Sequence, residues 1–345
     1  MGTRRRRVSV IYFISKLVKW DDLRMEIISN PTQDEIKKAA QALKDGHLVA
    51  FPTETVYGLG ADATNEKAVS RIYSVKGRPT DHPLIVHISS INQLGKWAVD
   101  IPEFAIKLAK EFWPGPMTLI LSRSSLAKNF ITGNQESIGL RVPSNPIATA
   151  LLSQLENLGG SGVAAPSANK FGAVSATTSD AVYEELGQFF SEQDLILNGG
   201  SCKIGIESTI IDCTQDYPTI LRPGYITLDM VEEVSGLLTN LKAETQIART
   251  SGQFKSHYSP AAQIVLEQLS GPGEGFIALQ HVPTPEGSIR LASPKSTTEF
   301  AQTIYSALRL GDRINLQKIA ILLPEDDGLG VAIIDRLERA TNKPI

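Results

Sequence analysis

Cysteine is nearly absent from this chain. Cys202 and Cys213 are the only two in 345 residues. With no CxxC pair and no Cys/His cluster, a disulfide framework and a zinc module are both excluded. Long apolar runs are missing too, for no stretch approaches the roughly 20 residues needed to span a bilayer. The common nucleotide loops are also lacking. No GxxxxGK[ST] occurs, and neither GLGADA (58–63) nor GLGVAI (328–333) completes GxGxxG. There is no HExxH, GxSxG elbow or EF-hand loop.

Basic charge is scarce over most of the chain. The formal net charge of −3 combines 34 Lys/Arg with 37 Asp/Glu. Residues 1–24 hold seven of the basic residues and two Asp, which leaves 27 against 35, or −8, for the rest. Backbone affinity for nucleic acid comes from neutralising phosphates, so a body this acidic is a poor general nucleic-acid binder. A nucleotide would need a local basic pocket. The 42% apolar and 21% charged residues are those of a globular protein, and the length predicts two or three domains. Free cysteines and the missing span predict a cytoplasmic protein with no membrane partner.

Arg4–Arg7 followed by VSVIYFISKLV has the outline of a secretion signal. Lys16 breaks its apolar run and no small-residue cleavage site follows, so residues 1–24 read as an N-terminal extension. From Met25 onward the period of the apolar pattern alternates as in an α/β protein. Thr32 and Glu35 predict a capping box for a helix that ends at Gly46. Strands are expected at 47–51, 83–88, 117–122, 138–142, 162–165, 208–212 and 219–222, with helices around 65–75, 91–98 and 102–112. So many short strands, some with no helix between them, predict a twisted, mixed, open sheet in a domain spanning 25–235. Residues 236–260 are weakly patterned and read as a lid-like linker. Residues 261–345 show a smaller Rossmann-like α/β pattern, with strands in QIVLEQL, GFIALQ and KIAILLP and helices after Ser296 and over 330–340.

The chemistry-bearing signals are polar turns at strand ends. PTETVYGLGADA (52–63) reads as a tight loop exposing Thr53, Thr55 and Tyr57 at a strand's carboxyl end, where open α/β sheets bind ligands. In VKGRPTDHPLIVHI (75–88), Lys76 and Arg78 flank a glycine, and His82 and His87 follow. Arg141 interrupts an apolar strand, and a long cation is rarely buried without a partner. APSANKFGAVSATT (165–178) offers Ser167, Asn169 and Ser175. GIESTIID and ILRPG should bring Ser208 and Arg222 to neighbouring strand ends. Each turn alone is explained by structure. Together they put Lys76, Arg78, Arg141 and Arg222 in motifs with few carboxylates, which calls for an anionic ligand. With no nucleophile–base pair, catalysis should work by positioning and charge stabilisation.

In their order, PTETVYGLGADA, KGRP before PLIVHI, PGPMTLIL, GLRVP, APSANKFG, STIID and LRPG resemble the threonylcarbamoyl-AMP synthase family. HYSP and the trailing α/β pattern resemble its two-domain form, a YrdC-like domain followed by a smaller one. The resemblance implies an enzyme that makes threonylcarbamoyl-adenylate and pyrophosphate from L-threonine, bicarbonate or CO2, and ATP. The product would feed a downstream threonylcarbamoyl-transfer machinery acting on tRNA. By motif, Lys76 and Arg78 would be catalytic, and Mg²⁺ would arrive on the nucleotide. Arg78, His82, Ser137, Ser167, Asn169, Ser175, Arg222 and Tyr258 would surround ATP. Thr55, His87, Arg141, Ala165 and Ser208 would hold threonine, with Arg141 on its carboxylate. The rival readings are a carbamoyl-transferring relative with another acceptor and a non-catalytic RNA-binding module.

Overall fold

The computed structural model describes residues 26–241 and 258–341. The expected extension at 1–24 lies outside the described residues, as does the linker over 242–257.

The first unit opens with β1 (Glu26–Ser29), α1 (Gln33–Lys44), β2 (Val49–Phe51), β3 (Gly58–Asp62), α2 (Glu66–Lys76) and β4 (Ile85–His87). It continues through α3 (Leu94–Trp97), α4 (Glu103–Phe112), β5 (Met117–Ser122), α5 (Asn129–Thr132), β6 (Ser137–Arg141) and α6 (Pro146–Asn157). Then come β7 (Val163–Ala164), α7 (Ser179–Leu186), β8 (Leu195–Asn198), β9 (Thr209–Asp212), β10 (Thr219–Arg222), α8 (Leu228–Ser235) and β11 (Asn240–Leu241). Thr32 caps α1 as expected. Its hydroxyl accepts from the Glu35 N–H at 3.3 Å, and the Glu35 carboxylate accepts from the Thr32 N–H at 2.7 Å, a pairing worth about 1 kcal/mol.

These strands form one mixed sheet in the order β1-β8-β2-β3-β7-β4-β6-β5-β9-β10-β11. Strand alternation sorts their side chains onto two faces. Ala50, Val86, Leu119 and Leu140 pack against Ile72 of α2 and Leu108 of α4 in the main core. On the opposite face α1 and α6 cover one end only, where Val49, Phe51 and Leu197 meet Leu43 and Leu151. Farther along, that face carries a small cluster made by strands alone: Ile85, Ile120, Ile210 and Leu221. Beside it stand His87 and Arg141, direct neighbours in the β4–β6 register. A bulge in β10 puts Arg222 opposite Ile210, so Leu221 and Arg222 are both turned to this face.

The second unit has β12 (Gln263–Leu266), β13 (Gly275–Ile277), β14 (Ile289–Ala292), α9 (Thr297–Arg313), β15 (Lys318–Ile321) and α10 (Leu329–Thr341). Its sheet is parallel throughout, ordered β12-β15-β13-β14. Helices α9 and α10 pack on Ile264, Ile277, Ile319 and Ile321, and Val56, Val174 and Ile206 of the first unit join that same cluster. The two units thus share a core. At Gly205 (φ +84°) an added Cβ would stand 2.4 Å from the Ala301 carbonyl, so α9 docks directly on this backbone.

Two readings need correction. GLGADA is not part of a loop, because Gly58–Asp62 is β3, antiparallel to β2. The first sheet also continues past residue 235, since β11 pairs with β10. Strands β1, β8 and β14 and helices α6, α7 and α8 were not expected.

Gly60 explains why β3 is glycine-rich. A Cβ there would meet Val163 Cγ1 at 2.8 Å, the Phe51 ring at 2.9 Å and the Val49 carbonyl at 3.0 Å. Overpacking of this kind costs about 1–3 kcal/mol. Gly60→Ala should lower the unfolding free energy by that amount, seen as a lower urea midpoint with an unchanged m-value. An unmoved midpoint would show that the neighbours yield freely.

Candidate active site

The uncovered part of the sheet is the floor of a cavity enclosing about 550 Å³ of empty space, part of it open to solvent. Its position differs from the expected one. It lies over a face of the sheet and not beyond the strands' carboxyl ends, because Ile85 and His87, two apart on β4, both line it. Thr55, Arg78, His87, Arg141 and Ala165 reach it, as do Ser167, Ser208, Arg222 and Tyr258. Those nine come from six separate motifs and the linker's end.

The β2–β3 turn supplies one wall. The Thr53 hydroxyl donates to the Val56 carbonyl at 2.6 Å and accepts from the Val56 N–H at 3.2 Å, an ST-turn that fixes Thr55 beside it. Their two hydroxyls are 2.8 Å apart. Tyr57 departs from expectation, since its hydroxyl donates to the Gly200 carbonyl and accepts from the Gly199 N–H. It braces the turn.

The arginines are held in place by fixed bonds. Arg141 donates through Nε to the Gly115 carbonyl at 3.3 Å and through Nη2 to Glu54 at 2.6 Å. The other Glu54 oxygen accepts from the Ser144 N–H at 3.0 Å. Glu54 was missed in the sequence although it sits inside PTET. The expectation of few carboxylates in these motifs fails here and again at Glu207, which lines the cavity. Arg222 donates to the Ser208 carbonyl through Nε at 3.1 Å and to the Ser208 hydroxyl through Nη2 at 3.2 Å. The expected meeting of these two residues is therefore observed. Arg78 follows the left-handed cap Gly77 that ends α2, donates to the Pro83 carbonyl at 3.0 Å and lies over the Phe171 ring. Burial pushes its pKa down to about 10, so it stays charged at neutral pH.

Five expected ligands stand back from the cavity. Lys76 donates to the Ser167 carbonyl at 2.5 Å and to the Asn169 carbonyl, tying the APSAN loop to α2. Burial, with Arg78 beside it, holds its pKa well below the usual lysine range. Asn169 braces the same loop by donating to the Lys170 and Ala173 carbonyls, both at 2.8 Å. Ser175 donates to Glu207 at 2.5 Å. His82 packs against Phe171. Ser137 opens β6, four residues before Arg141 and paired with Ser122. Among the described residues no group of three or more His, Cys, Asp or Glu could hold a metal ion, and no helix is long and apolar enough to cross a membrane.

His87 is neutral here. Burial, then the nearby Arg141 charge, pushes its pKa down to about 3. In the unfolded chain a histidine titrates near 6.5. The unfolded state therefore binds the extra proton between those values, and stability, full above pH ~6.5, falls as the pH drops toward 3. Between pH 7 and 5 the unfolding free energy should decline, with His87 contributing up to about 1.4 kcal/mol per pH unit below 6.5. His87→Asn should flatten that decline in urea titrations. Equal slopes would show that burial does not hold the His87 pKa below its unfolded value.

Comparison with known proteins bears on the family and the fold. Residues 41–224 match the family described as Telomere recombination, which groups Sua5, YciO and YrdC. Residues 226–342 match the family described as Threonylcarbamoyl-AMP synthase, C-terminal domain. The threonylcarbamoyl-AMP synthase of Pyrococcus abyssi is 38% identical over 89% of this chain and 94% of its own length. That of Bacillus subtilis is 36% identical over 92% and 96%. The crystal structure of P. abyssi Sua5 complexed with L-threonine superposes with a TM-score of 0.83 at 36% identity, covering 92% of this chain and 97% of that one. With both domains matched in order and nearly the whole length aligned, the chain belongs to the threonylcarbamoyl-AMP synthase family in its two-domain form.

Proposed function

We propose that this cavity joins L-threonine, bicarbonate or CO2, and ATP into threonylcarbamoyl-adenylate, releasing pyrophosphate. The observation that carries the reading is the convergence of three buried arginines, Arg78, Arg141 and Arg222, with Thr55, neutral His87 and Ser208 around one cavity. Arg141 Nη1 makes no hydrogen bond among the described residues, which suits it to the threonine carboxylate while Glu54 fixes its orientation. Thr55, His87, Ala165 and Ser208 would surround the rest of the amino acid. Neutral His87 would leave the amine its lone pair.

The amine nitrogen attacks the carbon of CO2 and loses a proton, giving a carbamate. A carbamate oxygen then attacks the α-phosphorus of ATP. The bond to the β-phosphate oxygen breaks, and pyrophosphate leaves with its electron pair. Arg78 and Arg222 would offset the charge that develops on the phosphates, in a site where burial strengthens their effect. Ser167 and Tyr258, which line the cavity, would face the nucleotide, and His82, Ser137, Asn169 and Ser175 would support that side from outside the lining. Lys76 would act there by holding the Ser167–Asn169 backbone. Mg²⁺ would come with the nucleotide and help neutralise its phosphates. The product would be passed to the machinery that modifies tRNA in the cytoplasm.

Pyrophosphate release should require threonine and be poor with the other amino acids. Arg78→Ala should abolish it. Arg141→Lys keeps a cation beside Glu54 but loses the planar fork, so it should raise the threonine KM by about tenfold or more and move the ATP KM by less than about twofold. A threonine KM unchanged in Arg141→Lys would remove the carboxylate assignment. Pyrophosphate release without threonine would overturn the function.

A further inference from the structure

The loop that joins β7 to α7 has no helix or strand of its own, yet it carries Ser167, Asn169 and Ser175. Its buried backbone has to be fixed by groups from elsewhere. The first half is secured within the first domain, by Lys76 on the Ser167 and Asn169 carbonyls. The second half is gripped from outside that domain. The Ser259 N–H, at the end of the linker, donates to the Gly172 carbonyl at 3.0 Å. Arg309 of α9 donates through Nη2 to the Val174 carbonyl and through Nε to the Ser175 carbonyl at 3.4 Å. Both residues are buried. The same Nη2 donates to Glu185 Oε2 of α7 at 2.5 Å, and the other Glu185 oxygen accepts from the Lys170 N–H at 2.7 Å. One guanidinium thus holds the stretch 170–175 at both ends, its start through Glu185 and its end directly. Ser175 carries this to the cavity, because its hydroxyl donates at 2.5 Å to Glu207, which lines the wall.

We propose that Arg309 is a positioning residue for the reaction: from the second domain it fixes the backbone at Val174 and Ser175, and so sets the nucleotide side of the cavity. An arginine suits this task because its donors form a rigid planar fork that serves two successive carbonyls and a carboxylate together, whereas an ammonium is a single point on a flexible stem. The neighbouring contact between the domains lacks this reach. Arg313, one turn later on α9, pairs with Glu184 at 2.7 Å, and both side chains are 41% exposed. These four charged side chains flank a cleft between α7 and α9 that opens to solvent. Water can therefore enter where Arg309 is replaced by a shorter or apolar side chain. The two carbonyls would then be hydrated but no longer held in one place, which spares the fold and loses the positioning.

This inference rests on the nucleotide reading of the loop. Its test uses the full chain, with threonine-dependent pyrophosphate release measured against ATP and against threonine. Arg309→Met should raise the ATP KM about fivefold or more and the threonine KM less than about twofold. Ser175→Ala should raise the ATP KM too, and adding it to Arg309→Met should cost less than about twofold more, since both changes loosen one chain of contacts. Effects that multiply in the double variant, or a Ser175→Ala ATP KM equal to wild type, overturn the proposal. Arg313→Met breaks the adjacent contact between the domains and should leave both KM values within about twofold of wild type. A rise in its ATP KM to match Arg309→Met would assign the effect to docking alone and overturn the proposal. If Arg309→Met does not fold, Arg309→Lys decides. It keeps a cation beside Glu185 without the fork, so its ATP KM should rise about threefold or more, and an unmoved value overturns the proposal. A wild-type protein that releases no pyrophosphate refutes the functional reading itself. An active wild type with an unmoved ATP KM in Arg309→Met refutes this inference alone.

Discussion

The rest of the molecule is arranged around buried charge beside an uncovered stretch of sheet. Helices close one face along the sheet's centre, while α1 and α6 cover only one end of the other. Polar side chains placed on the open part by strand alternation therefore lie under no helix of the first domain, at the floor of a cavity only partly open to solvent. They meet one another. Arg141 is held by Glu54, Arg222 by Ser208, and Glu207 by Arg336. Each pair costs desolvation that its own attraction roughly offsets, so these contacts are better understood as fixing orientation than as adding stability.

The same arrangement explains how an acidic protein can accept anions. The body carries a balance of −8 over its whole length, whereas Arg78, Arg141 and Arg222 are all less than a tenth exposed. In low dielectric a few fixed cations act more strongly than many solvated ones. The second domain is part of this site, since α9 and α10 share a hydrophobic cluster with Val56, Val174 and Ile206 and send Tyr305 and Arg336 to Glu207. A first domain standing alone would expose that cluster and leave Glu207 without either contact.

Much of this was legible in the sequence, because it was local. The Thr32–Glu35 box, the strands 117–122 and 219–222 and the oddity of Arg141 in an apolar strand all declare themselves within a few residues. Gly58 and Gly60 misled because glycines in a polar stretch resemble a turn, whereas here they let β3 lie close to Phe51 and Val163. The short strands β1 and β8 gain their meaning only from pairing with each other across the chain. The same limit hid the carboxylates. Glu54 finds Arg141 87 residues away, and Glu207 finds Arg336 129 residues away. No motif announces a contact of that range. Lys76 was read as a ligand since a cation in KGRP invites one, but its backbone position at the end of α2 aims it at the carbonyls of Ser167 and Asn169.

The account stands or falls on the carbon that joins the amino acid to the nucleotide. The most direct measurement is the mass of the product formed from ATP, threonine and ¹³C-labelled bicarbonate. The account predicts an adenylate that contains threonine and carries the label, formed together with pyrophosphate. An unlabelled threonyl-adenylate, or AMP released with no threonine attached, would contradict it.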